Sequence, residues 1–254
     1  MSEELEHKLL REIEELKREL AKLKGEEISQ IPTYQFSGLR EKDLLEIVQI
    51  EESFEDKVFH DWFHSSITID KEAINYLAKL LEREGKYIKY YNEENLKIKF
   101  IVPILNLVDF FISDNVKDFY EEVITYKTDK FILTGIVDFL VSKGVKRAEK
   151  PYFFIQEFKR GKENSDPEPQ LLAELISAVE LNHFTSLKGA FVIGSIWNFA
   201  ILEKLGEHKY QYFISENFDS TKIEDLKAIY KNLLFVKEEI IKIVESETRG
   251  VLRC

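Results

Sequence analysis

Between Glu3 and Lys24, apolar residues recur at alternating spacings of four and three. They are Leu9, Ile13, Leu16, Leu20 and Leu23, and Glu, Lys and Arg fill most other positions. This stripe predicts an amphipathic helix of about three heptads, with Ile13 and Leu20 in one seam position and Leu9, Leu16 and Leu23 in the other. An isolated helix of that length is marginal in water. Residues 1–25 are therefore expected to form a coiled-coil oligomerisation helix that makes the protein a homo-oligomer, with docking on the body as the alternative. Gly25 ends the stripe, and residues 26–38, which include Pro32 and Gly38, read as a linker.

The remainder, residues 39–254, reads as one domain with a helical N-terminal part. From Leu39 to about Ile124 the pattern is mostly helical. Asp70 is placed to cap a helix bearing Ile74, Leu77, Leu80 and Leu81, and Asn92 to cap one bearing Leu96, Phe100, Ile101, Ile104 and Leu105. Pro103 lies inside the second helix and is expected to kink it. Strand signals follow at Val123–Lys127 and Lys130–Val141, with Thr128 and Asp129 at the turn, and at Pro151–Lys159. The stretch 161–169 reads as a loop, and an apolar helix is expected from Gln170 to Phe184. Further strands are expected at Ala190–Ser195, Trp197–Leu202 and Tyr210–Ile214. Thr221 and Glu224 suggest a capping box for a closing helix that carries Leu233, Val236 and Ile240. The order predicts an α/β fold in which an antiparallel entry is followed by a helix crossing over to a further strand.

Composition narrows the class. The chain is 44% hydrophobic and 13% aromatic over 254 residues, which supports a sizeable core and excludes a disordered chain. No apolar run approaches a membrane span, so no membrane association is expected. The single Cys254 excludes an internal disulfide framework and suggests a reducing compartment, most simply the cytoplasm. The net charge of -11 disfavours a protein that coats nucleic acid. The distribution is uneven, however. Lys143, Lys146, Arg147, Lys150, Arg160 and Lys162 form a basic stretch, a candidate nucleic-acid contact. The same residues equally fit a solvated, lysine-decorated hairpin.

The candidate chemistry lies between Gly135 and Gln170. Side chains alternate faces along a strand. Glu157 and Lys159 therefore share a face, while Phe158 between them points to a core. If the two strands pair, Asp138 sits opposite them, and two carboxylates meet beside an ammonium. Oxygen ligands of this kind suit a hard divalent ion such as Mg²⁺ or Mn²⁺. Asp138 and Glu157 are candidate ligands, with the backbone carbonyl of Phe158 as a third. Lys159 would position a water or stabilise developing negative charge. To act as a base it would need a lowered pKa. His60 and His64, four apart, also have metal-ligand spacing, but no further ligand accompanies them.

Gly135-x-x-Asp138, Glu157-x-Lys159 and Gln170 together resemble the PD-(D/E)XK nuclease superfamily. Its core is a helix, a three-stranded antiparallel segment, a helix and a further strand. Glu94, ahead of Ile101-Val102-Pro103-Ile104-Leu105, is similar to the helix acid of type I restriction-like nuclease domains, although the adjacent Glu93 competes for that place. Gly194 to Phe199 resembles a Gly- and Trp-bearing strand turn of those domains. The resemblance covers about residues 93–216 and lacks the Pro before Asp138. It implies a restriction-endonuclease-like core, metal-dependent phosphodiester hydrolysis with DNA as the expected substrate, Asp138, Glu157 and Glu94 around the ion, and Gln170 orienting Lys159. Two alternatives stay open: a catalytically inactive nucleic-acid-binding module of the same fold, and a coiled-coil interaction protein. Asp138 as a turn-capping acid, with Glu157 and Lys159 as an ordinary same-face pair, is the plain structural alternative.

Overall fold

The computed structural model describes residues 31–161 and 166–251. The coiled-coil segment 1–25, the first five residues of the linker, Lys162 and Cys254 lie outside the described residues. The fold is mixed α/β, built on one curled mixed sheet with helices on both faces.

The strands are β1 Thr33–Gln35, β2 Gln49–Glu52, β3 Val116–Lys127, β4 Ile132–Lys143, β5 Glu149–Lys159, β6 Ser186–Ile193, β7 Ile196–Gly206, β8 Lys209–Ile214 and β9 Phe218–Asp219. The helices are α1 Glu41–Ile47, α2 His60–Phe63, α3 Lys71–Glu84, α4 Glu93–Leu96, α5 Val102–Val108, α6 Pro167–Asn182 and α7 Ile223–Val251. The sheet order is β1-β4-β5-β6-β7-β8-β2, with β3 also on β4 and β9 on β7. β3, β4 and β5 form an antiparallel meander, and α6 crosses over to β6, which runs parallel to β5.

Strand alternation builds two cores. Phe139, Phe154, Phe158, Val192 and Phe199 face α3, α4, α5 and α7. Leu140, Ile155, Phe191 and Leu202 face α6 and α1. α6 is buried on nearly every side, as befits a crossover helix between sheet and flanking elements. It lies close to the sheet at Gly189, where a Cβ would stand 3.0 Å from the Ile155 carbonyl oxygen and 3.1 Å from Leu175.

Several expectations were met and others corrected. Asp70 and Asn92 cap their helices, accepting from the Ala73 and Asn95 amides at 2.7 and 2.8 Å. Pro103 is not at a simple kink. The distortion takes the form of a π turn, Lys97–Ile101, between α4 and α5. The region expected to be helical up to Ile124 yields β2 and most of β3, because β8 and β4 supply backbone partners that no local pattern announces. The end of the expected linker is sheet: β1 pairs with β4, and Phe36 is fully buried. α6 begins at Pro167 rather than Gln170, since Asp166 caps it and both prolines fit a first helical turn. The capping box at Thr221 does not form. Its hydroxyl donates instead to Asp219, whose own amide donates to Asp225.

Candidate active site

β4 has β3 along one edge. Along the other it has β1 at its start, Thr33↔Ile132 to Gln35↔Thr134, and β5 at its end, Phe139↔Gln156 to Lys143↔Glu149. Between them β4 has no strand partner on that side, and β5 leaves β4 to follow β6 through Glu157–Lys159. A cleft of about 430 Å³ opens there. It is lined by Asp138, Glu157, Lys159, Gln170 and Glu94, together with Glu93, Lys97, Glu121 and the β4 stretch at Gly135 and Ile136. Five residues singled out from sequence thus share one cleft.

Asp138 stands where the strands part. Its Oδ2 accepts the Phe158 amide at 2.9 Å, in place of the lost strand pairing, and its Oδ1 lies 3.6 Å from the Lys97 ammonium. Glu157 is 1% exposed. Lys159 Nζ is 3.1 Å from its Oε1, close enough for an ion pair but off line for a hydrogen bond, so both carboxylate oxygens lack a hydrogen-bond partner. Glu93 also approaches Lys159, at 3.8 Å. Glu94 lies in the cleft on the Lys97 side and raises that lysine's pKa. Both glutamates therefore face the site. Gly135 has a physical reason in this motif: a Cβ there would meet the Phe36 ring at 2.8 Å.

Three participants were not read from sequence. Lys97, 9% exposed at its side chain, donates to Glu121 at 2.6 Å. Glu121 lies opposite Asp138 in the unbroken β3–β4 register, between Tyr120↔Phe139 and Glu122↔Val137. Its φ of 56° is a left-handed conformation that costs a non-glycine residue about 1–2 kcal/mol. Glu174 is fully buried, and its Oε1 accepts from Gln170 Nε2 at 3.2 Å. Gln170 therefore holds Glu174 rather than Lys159, and its Oε1 has no hydrogen-bond partner. Two signals were available. Lys97 follows Glu93 by four and Glu94 by three, and Glu174 follows Gln170 by four, so each pair shares a helix face.

The electrostatics follow from burial. Burial, then Glu174 and Asp138, push the Glu157 carboxyl well up, only partly opposed by Lys159. Burial also pushes Glu174 well up, against the Gln170 hydrogen bond. For Lys159 burial alone would lower the pKa, but Glu157, Glu93 and Asp138 outweigh it and the net shift is upward. The lowered value a lysine base would need is thus not found, and the ammonium stays charged. Lys97 likewise ends above its usual value, with burial outweighed by Glu121, Asp138 and Glu94.

A carboxyl raised by folding binds more protons in the folded than in the unfolded chain. Stability therefore falls as pH climbs from the ordinary carboxylate range to the raised value. Glu174→Gln removes that loss. The variant should melt with the wild type near pH 4 and roughly 2–4 °C above it at pH 8. Thermal melts at the two pH values check this, and equal offsets at both would mean no held proton at Glu174.

Among the described residues no three His, Cys, Asp or Glu side chains gather as a ready metal-ligand group. Asp138 and Glu157 nonetheless fit a hard cation. Both are carboxylates, they act on one another electrostatically, and Glu157 is buried with two unsatisfied acceptors. His60 and His64 stack at 4.7 Å, His64 Nδ1 lies 3.1 Å from the His60 carbonyl oxygen, and His60 Nδ1 lies 3.3 Å from Asp61 Oδ1, without the three forming a metal-ligand group. The basic residues divide. Lys143, Lys146, Arg147 and Lys150 ride the β4–β5 hairpin, whose near end is five strand residues, roughly 17 Å, from Asp138. Arg160, exposed, directly follows Lys159, and Lys162 lies outside the described residues. Among the described residues no helix is long and apolar enough to cross a membrane. No protein-family model and no curated protein matches the chain.

Proposed function

We propose that this chain is a metal-dependent nuclease with a restriction-endonuclease-like core, hydrolysing phosphodiester bonds with DNA as the expected substrate. The carrying observation is Glu157: a carboxylate 1% exposed, without a hydrogen bond, in one cleft with Asp138 and Lys159. A charge so placed destabilises a fold unless something binds it. The element order α4–α5, β3–β4–β5, α6, β6 supports the reading, as do Gly135, Glu94 and Gln170 in the lining of the same cleft.

Asp138 and Glu157, with Glu94 and the Phe158 carbonyl, would hold Mg²⁺ or Mn²⁺. The ion supplies positive charge against the reacting phosphate and a more acidic water. Lys159, kept charged by Glu157 and Glu93, faces negative charge developing on the phosphoryl oxygens. Phe158 N–H fixes one Asp138 oxygen and leaves the other toward the cleft. Gln170 and Glu174 brace the floor beneath Glu157. The exposed Val123 and Ile136 give the cleft an apolar wall that a sugar or base can lie against. The homo-oligomer expected from residues 1–25 and a cytoplasmic setting belong to the same proposal.

The test is calorimetric titration of Mg²⁺ or Mn²⁺ into wild type and Asp138→Ala/Glu157→Ala, followed by incubation of both with mixed DNA and RNA. Wild type should bind the ion and cleave; the double variant should do neither. A wild type that binds no ion would move the binding-module and adaptor readings ahead.

A further inference from the structure

The resemblance assigns one lysine to the site, and the structure places two. Lys97 is nearly as buried as Lys159, at 9% and 8% side-chain exposure. Its ammonium stands in the cleft 2.6 Å from Glu121 and 3.6 Å from Asp138. The Phe158 ring lies 6.0 Å from it. Two irregularities coincide on this one contact. Lys97 begins the π turn of its helix, a feature that recurs at functional sites. Glu121, in the left-handed conformation inside a twelve-residue strand, is the side chain that meets it. A clamp between helix and sheet would need neither. Glu121 is 60% exposed, and an ion pair with so exposed a partner contributes little to stability.

The balance of charge explains the arrangement better. Five acids line the cleft, Glu93, Glu94, Glu121, Asp138 and Glu157, against Lys97 and Lys159. Lys159 belongs to Glu157 and Glu93. Lys97 is left to Asp138, but shared with Glu121 at the shorter distance.

We propose that Lys97 is a resident counter-cation: its ammonium balances Asp138 when no divalent ion is bound, yields Asp138 to the ion, and then meets a phosphate oxygen of the substrate. Glu121 is the positioning residue that draws Lys97 aside from Asp138. The inference rests on the nuclease reading. Lys97 and the ion compete for one carboxylate, so each weakens the other's hold by the same factor.

The experiment is Mn²⁺ calorimetry on the full chain, as wild type, Lys97→Gln, Glu121→Gln and the double variant, with steady-state cleavage of a DNA duplex alongside. Lys97→Gln should bind Mn²⁺ roughly fivefold or more tightly, while its KM for the duplex rises. Glu121→Gln should bind Mn²⁺ more weakly than wild type, because Lys97 then belongs to Asp138 alone. In the Lys97→Gln background, Glu121→Gln should change nothing. If Lys97→Gln fails to fold, Lys97→Met keeps the aliphatic stem over Phe158 and carries the same expectation. Superimposed isotherms for wild type and the Lys97 variant overturn the counter-cation role. A further loss of Mn²⁺ affinity in the double variant makes Glu121 a ligand and overturns its positioning role. A wild type that binds no Mn²⁺ overturns the nuclease reading and this inference together, and the wild-type isotherm alone distinguishes that case.

Discussion

Glu157→Gln should lower metal-dependent cleavage by at least roughly 10³-fold while leaving the fold intact and no less stable. The substitution keeps the size and one carbonyl oxygen, and removes the charge. In the metal-free protein that charge is disfavoured by burial first and by Glu174 and Asp138 next. Its loss therefore removes a destabilising element at neutral pH, partly offset by the loss of the Lys159 contact at 3.1 Å. A structural salt bridge predicts the reverse, lower stability and unchanged chemistry. Cleavage rate and melting temperature, measured on one preparation, separate the two. Undiminished cleavage would remove Glu157 from the mechanism.

Lys159→Met should be the complementary case, destabilising and inactivating together. Without the ammonium, Glu157 is left buried beside the like charge of Asp138. Breaking a buried pair in this way costs about 3–5 kcal/mol. Lys159 is raised above its usual value, so its stabilising charge is present throughout the neutral range and is lost only as pH climbs past the lysine range. The deficit of the variant should shrink on acidification, as Glu157 takes up a proton, and on addition of Mn²⁺. Cleavage should fall by about 10²–10³-fold even where the ion still binds. Adding Glu157→Gln should restore stability and not activity. Urea midpoints at pH 5 and pH 8 check the first claim and single-turnover rates the second. A variant with wild-type cleavage would show that Lys159 serves the fold alone.

The chemistry-bearing triplet was legible because strand alternation is local. Glu157 and Lys159 face one way and Phe158 the other in any strand, and Phe153, Phe154 and Ile155 announce that the strand is buried. The caps at Asp70 and Asn92 were legible for the same reason, since a cap contacts residues two or three along. Gln170 lines the cleft, but its hydrogen-bond partner is Glu174 and not the Lys159 that the resemblance implies. Its contact with Glu174 is a helical i,i+4 pair, whereas a contact with Lys159 depends on how α6 sits over β5. The linker and β2 were misread because their partners, β4 and β8, are distant in sequence. A three-residue strand such as β1 has no periodicity to detect.

The sequence alone determined the residue chemistry, the alternation that puts Glu157 and Lys159 on one face, and the antiparallel entry with its crossover helix. These depend on short-range geometry, which each residue type carries with it. Only the tertiary structure decided that β1 and β5 part along β4 to open the cleft, that Lys97 and Glu121 enter it, and that most of the basic hairpin stands apart from it. Those outcomes depend on register and on the packing of elements far apart in the chain, where a shift of one residue reverses every side chain's face.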